Sequence, residues 1–241
     1  MPAFDTGRFV TAGERVLLAE LPAAHHMVGA LRIRPGERLV LFHEGELYDA
    51  AVEELPGAGL VAVIQSVRPS PLASRPLVLV QAVIRPALLD DVVRLVTPLG
   101  VRSVVLFAGE RSQPWNVAGR LGRLTEVARS AAEQSETGIV PEISLEDSLG
   151  DALKCLEPAR ACIALSPRAD RTLLQLSGPA WIRAQEAAAL VVGPEGGFSE
   201  EEERLMDSRG VRRARLNTGV LRSELAGFAA LLVIREMQEL P

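Results

Sequence analysis

Lysine is almost missing from this chain of 241 residues: Lys154 stands alone, and every other positive side chain is arginine. Cysteine occurs twice, at Cys155 and Cys162. That spacing matches no metal or redox motif, and no histidine lies near it, so both thiols are expected to be small buried hydrophobes and no bound metal is expected. Aromatic residues make up only 4%. The histidines His25, His26 and His43 all precede residue 44, far from the motifs that carry chemistry below. The longest apolar run, residues 225–234, is interrupted by Gly227 and falls well short of the roughly 20 residues that a membrane span needs. The opening "MPAFDTGRFV" has no charged-then-apolar leader pattern. These absences argue against a disulfide scaffold, a zinc site and a membrane protein, and they make a cytoplasmic location the expectation.

What is present is an ordinary globular composition, 48% hydrophobic and 24% charged. The formal charge of −5 argues weakly against a nucleic-acid partner, because phosphate contacts need cations. The arginines cluster, however: Arg32, Arg34 and Arg38; Arg120, Arg123 and Arg129; Arg209, Arg212, Arg213 and Arg215. Arginine suits bidentate phosphate and base contacts. Any one cluster, taken alone, reads first as a solvated face.

The texture changes along the chain. Residues 1–70 hold short Val- and Leu-rich segments, "RVLLAE", "ERLVLFHEG", "ELYDAAVEEL" and "GLVAVIQSV", punctuated by Pro and Gly. They predict a small β-barrel, broken by one helix near residues 23–31. "RPSPLASRP", residues 68–76, reads as a linker. Beyond it strands and helices alternate: "LVLVQAVI", "LLDDVVRLVTPLG", "SVVLFAG", then a long helix over residues 115–135, the strands "ACIALSP" and "AALVVG", a helix "SEEEERLMDSRG", the strand "VRRARL" and a closing helix from residue 222. Alternation of this kind implies a parallel sheet covered on both faces.

The stretch "LVVGPEGGFSEEEE", residues 190–203, ends a strand in a glycine loop and starts an acidic helix. Ser199 and Glu202 form a capping-box pattern. Glycines at a strand's carboxyl end permit positive φ and let a ligand approach the backbone. A phosphate is the first guess. The loop holds no Lys or Arg, and Glu195 with Glu200 to Glu203 would repel one, so a neutral or cationic ligand fits better; a tight turn that binds nothing is the bland alternative. "LNTGVLRSELAGFAAL", residues 216–231, repeats the design with Arg222 and Glu224 at the helix entry. Two such loops on neighbouring strands would make one cleft, with free backbone groups able to read an adenine edge.

"VGPEGGFSEEE" followed by "LNTGVLRSELA" resembles the paired C-terminal signatures of the RsmE family, ribosomal RNA methyltransferases of the SPOUT superfamily. "GRFV", "HHMVGALRIRPGERLVLFHEGELYDAAV", "VVRLVTPLGV", "ERS", "AAEQS", "VPEI" and "LSP" resemble further family words in order, over nearly the whole chain. The resemblance implies a mixed α/β fold: a PUA-like RNA-binding barrel over residues 1–70, then a SPOUT domain over residues 75–241 with a trefoil knot. It implies S-adenosylmethionine as cofactor, methylation of a uridine at N3 in 16S rRNA, the 30S particle as partner, and a homodimer whose contact is the closing apolar helix. Transferred residue by residue, Gly193, Glu195, Gly196 and Gly197 would line the cofactor pocket. Leu216, Val220 and Leu221 would meet the adenine through backbone groups, and Leu165 would close the other wall. Arg222 would stabilise charge on the base with Glu224 as its partner. Arg8, together with Arg32 and Arg34, would face RNA. The chain departs from the family's words at Arg85, Leu88, Leu89, Pro98, Glu136, Thr137, Gly219 and Leu225, mostly losing charge or polarity on the expected RNA side. A relative that keeps the pocket but modifies another RNA position, or none, is the alternative these departures leave open, and a phosphate- or nucleotide-binding α/β enzyme of another class is the third.

Overall fold

The structure, a computed structural model, describes residues 3–18, 33–55, 60–156, 161–184 and 187–239. The chain divides into two units, Met1–Ser74 with Arg129–Ile139, and Arg75–Ala128 with Val140–Pro241.

The first unit is a five-stranded sheet of β1 (Ala3–Asp5), β2 (Arg15–Leu17), β3 (Arg38–His43), β4 (Glu46–Glu54) and β5 (Val61–Pro69), in the order β1-β3-β4-β5-β2. β1 runs parallel to β3, and the other pairs are antiparallel. The register of β4 on β5 shifts between Asp49 and Ala50, whose partners are Ser66 and Ile64, so Gln65 is an extra residue on β5. A bulge of this kind tightens the twist and curls the sheet around its apolar side. Phe4, Leu39, Leu41, Tyr48 and Ile64 fill the inside. Tyr48 is wholly buried and donates to Glu46 at 2.9 Å; burial, then Glu46, pushes its phenol up to about 12. Among the described residues β1 and β2 remain the sheet's ends, so the expected barrel is seen as a curled sheet. The helix expected near residues 23–31 lies outside the described residues. Residues 129–139, unlike anything in the linear reading, belong to this unit: Ser70 Oγ donates to the Thr137 carbonyl at 2.6 Å, and Arg129 reaches Asp5.

The second unit holds β6 (Leu77–Ala82), α1 (Pro86–Val96), β7 (Val101–Phe107), most of α2 (Leu121–Ser135), β8 (Glu142–Glu146), α3 (Leu149–Lys154), β9 (Ala161–Leu165), α4 (Leu173–Ser177), α5 (Pro179–Arg183), β10 (Ala188–Val192), α6 (Glu200–Ser208), β11 (Arg212–Ala214) and α7 (Ser223–Glu239). All six strands are parallel, in the order β11-β9-β10-β6-β7-β8. Side chains alternate between two cores. Leu77, Leu79, Leu106, Ile163 and Leu190 face α1, α2, α5 and α7; Val80, Phe107, Ala164 and Val191 face α3 and α6. Each Leu, Ile, Val or Phe side chain among them contributes about 1.5–3 kcal/mol by leaving water. The sequence reading missed β8, α3, α4 and α5, which are short. It started α2 six residues early: the chain first makes a 3-10 turn at Ala118–Arg120. Cys162 is half-buried on β9, and burial pushes its thiol up to about 12; Cys155 is exposed, contrary to expectation, because it lies just past the end of α3 rather than under it.

Candidate active site

The strand order reverses between β10 and β6: from β6 the chain builds outward through β7 and β8, then returns to lay down β9, β10 and β11 on the other side. Ligands in open α/β sheets bind at such switch points, beyond the strands' carboxyl ends. A cavity of about 950 Å³ opens there. The two glycine loops do not leave neighbouring strands as expected; β9 separates β10 from β11. The cleft still forms, because the turn after β9, Leu165 to Arg168, supplies the wall between them.

Leu165, Gly193, Glu195, Gly196, Gly197, Leu216, Val220, Leu221, Arg222 and Glu224 all line this cavity. Arg85, Leu88, Arg111, Arg168, Phe198 and Arg215 line it too and were not assigned to the site from sequence. Arg85 and Leu88 lie at the start of α1, where only position relative to β6 could have marked them.

The first loop is tightly fastened. Ser199 caps α6 and Glu202 returns the bond: Ser199 Oγ accepts from the Glu202 N–H at 3.0 Å, and Glu202 Oε2 accepts from the Ser199 N–H at 2.8 Å. Glu202 Oε1 also accepts from the Glu110 N–H at 3.1 Å, which ties in the loop after β7. Arg111 donates to the Gly196 carbonyl at 3.3 Å. Of the loop's three glycines, left-handed backbone occurs at Gly197 alone, with φ +72°. Gly196 is small for another reason: a Cβ there would stand 3.2 Å from Arg111 Cβ, and at Gly193 one would stand 3.2 Å from the Phe198 ring.

Glu224 is buried at the start of α7, its side chain 9% exposed, while the Arg222 side chain is 82% exposed. Their charged ends stand 4.0 Å apart, within ion-pair range but beyond a hydrogen bond. Glu224 sits well in the first turn, where the helix favours negative charge.

The middle arginine cluster is committed to carboxylates, as is Arg213 of the last. Arg120 and Arg123 both pair with Asp90, at 3.1 and 2.8 Å; Arg129 pairs with Asp5; Arg213 pairs with Glu203 and Asp207. Burial pushes the Asp90 carboxyl up, but the hydrogen bonds from Arg123 and Arg120 outweigh it and hold it below the usual range. Arg212 stacks over Trp181 at 4.5 Å. In the first unit Arg8 pairs with Glu14 at 2.6 Å, and Arg34 is exposed. Arg32, His25 and His26 lie outside the described residues. His43 is held by Asp5 at 3.2 Å. Of the departures, Thr137 is 6% exposed, so its size answers to packing, whereas Gly219 is exposed with open space around it.

A family model for an RNA methyltransferase domain matches residues 71–235, and one for an RNA methyltransferase PUA domain matches residues 18–65. Ribosomal RNA small subunit methyltransferase E of Mycobacterium bovis is 30% identical over 86% of this chain and 80% of its own length. The chain belongs to the RsmE family. The family member of Rickettsia conorii is 25% identical over 92% of this chain and 89% of its own. The crystal structure of the Neisseria gonorrhoeae RsmE bound to S-adenosyl methionine superposes with a TM-score of 0.82 at 25% identity, covering 98% of both chains. The RsmE fold thus accounts for both units: a PUA-like curled sheet and a parallel-sheet methyltransferase domain. No helix among the described residues is long and apolar enough to cross a membrane.

Proposed function

We propose that this RsmE protein binds S-adenosylmethionine in the cavity at the ends of β9, β10 and β11 and methylates N3 of a uridine in 16S rRNA. One observation carries the reading: a cavity of about 950 Å³ floored by glycine backbone, with a buried carboxylate and an exposed guanidinium at one rim. The volume lies at the upper end of the roughly 300–1,000 Å³ range of small-molecule and cofactor sites. Glu195, Glu203 and Glu224 line it together with Arg85, Arg111, Arg168, Arg215 and Arg222, so it holds carboxylates for a cationic sulfonium and guanidinium groups for a carboxylate or an RNA phosphate. Backbone groups at Leu216, Val220 and Leu221 are available to an adenine edge, with Leu165 opposite.

When bound, the cofactor supplies an electrophilic methyl on sulfur. The chain's own residues do the rest. The N3 proton of uridine passes to solvent water, and the ring then carries negative charge over its two carbonyl oxygens. Arg222, exposed at the rim, donates to that charge as it develops. Glu224, 4.0 Å from Arg222, biases the guanidinium toward the rim as an ion-pair partner. Holding the base in line with the methyl supplies much of the remaining rate.

The first unit, with Arg8, Arg32 and Arg34, is read as the RNA-binding part and residues 75–241 as the catalytic domain, knotted as in SPOUT enzymes. The partner is the small-subunit particle and the setting the cytoplasm. Leu225 and Leu232 on α7 are 44% and 39% exposed, and Val220 is 84% exposed; this apolar rim supports a homodimer. The deciding experiment is mass mapping of 16S rRNA from a deletion strain, with and without the gene restored: loss and return of one N3-methyluridine is expected. Loss of a different modification favours the alternative, a relative with another RNA target, for which the departures at Gly219 and Leu225 speak. RNA affinity is expected to fall with rising salt, and more weakly after Arg8 or Arg34 is replaced.

A further inference from the structure

We propose that Gln81 and Ser223 are positioning residues that clip the two glycine loops together and so set the width of the cavity; this rests on the reading of that cavity as the cofactor site. Gln81 lies at the end of β6, wholly buried, away from the cavity lining. Its Nε2 donates to the Ala82 carbonyl at 3.1 Å and to Ser223 Oγ at 2.9 Å. Ser223 Oγ stands 2.8 Å from the Gly193 carbonyl.

The direction of this chain follows from counting hydrogens. A carbonyl can only accept, so the amide must present its NH2 to Ala82, which fixes Gln81 against a flip. Both amide hydrogens are then used. Ser223 Oγ accepts one of them, and its own single hydrogen is left for the Gly193 carbonyl. Gly193 opens the first loop, and Ser223 follows Arg222 at the end of the second. One buried hydroxyl therefore joins the two walls of the cavity through β6, which belongs to neither. The residue after Gly193 is proline, so the peptide linking them carries no N–H, and its carbonyl is its only polar group. Ser223 occupies that group and fixes the peptide plane at the loop's entry.

The arrangement costs something. Gln81 Oε1 is buried with no hydrogen-bond partner. A buried amide with one orphaned oxygen is worse for stability than an apolar side chain of the same shape. A purely structural residue would not need the amide there, whereas a clip needs its donor. Without the clip, the loops populate wider states that bind ligand less well, and the apparent affinity falls by the fraction still competent.

The test is titration with S-adenosylhomocysteine, paired with thermal melting, on the full chain. Ser223→Ala is expected to stay folded and to bind about tenfold more weakly at temperatures well below its melting point. Ser223→Thr keeps the hydroxyl and is expected to bind within about twofold of the parent. Gln81→Met removes the donor while keeping length, and is expected to weaken binding less, with no further loss when combined with Ser223→Ala. Parent-like affinity in Ser223→Ala, failure of Ser223→Thr to rescue, or additive losses in the double variant would overturn the proposal while leaving the cofactor site standing. A parent chain that binds no S-adenosylhomocysteine would remove the cofactor reading and the clip with it.

Discussion

The two glycine loops share one recipe, a strand end, small residues and a helix start, yet they are held in opposite ways. Residues 193–199 are fixed from several sides: a reciprocal capping box, a carboxylate that also binds the loop after β7, and Arg111 on the Gly196 carbonyl. Residues 217–220 are all exposed, and among the described residues Thr218 Oγ1 donates to the adjacent Gly219 carbonyl, at 2.8 Å. The difference teaches a division of labour. A rigid wall preserves shape for a ligand that is always the same, and an open wall leaves Arg222 and Val220 free to meet a base or a second subunit. If that division is real, equal insults to the two loops should have unequal effects.

The largest effect is expected at Glu202. Glu202→Ala strips acceptors from two backbone N–H groups, one of them at buried Ser199. Bonds to a charged group contribute about 1.5–3 kcal/mol each, and because both use one side chain the loss should be about 3 kcal/mol in chemical denaturation. The matched change in the open loop, Gly219→Ala, meets no atom within 4 Å and should stay within about 0.5 kcal/mol. Similar losses at both sites would erase the comparison.

Next comes a pair inside the rigid wall. Gly197→Val forces a branched residue to φ +72° and should cost on the order of 1–2 kcal/mol or more in stability. Gly196→Val does not meet that penalty. Its new methyls press on Arg111 and enter the cavity, so its melting point should move less, while S-adenosylhomocysteine affinity falls at least tenfold, about 1.4 kcal/mol. Normal affinity in folded Gly196→Val would mean that the loop is only a turn.

The open side is tested through assembly. Leu232→Glu places a charge on the exposed stripe of α7 and should leave the fold's stability within about 0.5 kcal/mol. Light scattering at micromolar concentration should then report monomer where the parent reports dimer. A monomeric parent would leave Val220 and Leu225 exposed for some other reason.

Much of this was legible in the sequence, for identifiable reasons. The long apolar strands and α7 declared themselves because a parallel sheet buried on both faces writes unbroken Val and Leu runs. Ser199 with Glu202 announced α6, since the capping box is local chemistry. What failed was non-local. Nothing in residues 129–139 says that the end of a helix packs with residues sixty positions or more earlier, or that β9 inserts between β10 and β11. Which glycine is left-handed could not be read, because three glycines and a proline in five positions admit several turns, and the structure puts it at Gly197. Gln81 sat unremarked inside "LVLVQAVI", where one polar residue in an apolar strand was the visible signal of the buried relay.

A small effect of opposite sign is expected beneath that relay, at Gly227 in the body of α7. Glycine inside a helix is less favourable than alanine by roughly 0.5–1 kcal/mol, chiefly through backbone freedom in the unfolded chain. A Cβ at this position would lie 3.5 Å from Leu79 Cδ1, 3.6 Å from Val192 Cγ2 and 3.6 Å from Gln81 Oε1, which are ordinary contact distances. Gly227→Ala should therefore gain up to about 0.5–1 kcal/mol, offset in part by the methyl held against the unpartnered Gln81 oxygen. Denaturant midpoints at constant slope would show it. The gain should leave S-adenosylhomocysteine affinity unchanged, because the methyl points at β6 and β10 and away from both loops. A loss of stability would mean that α7 needs a closer approach to those strands than alanine allows. A gain in stability with a loss of affinity would mean that the methyl disturbs Gln81, and that the rigid wall takes part of its rigidity from the strand beneath it.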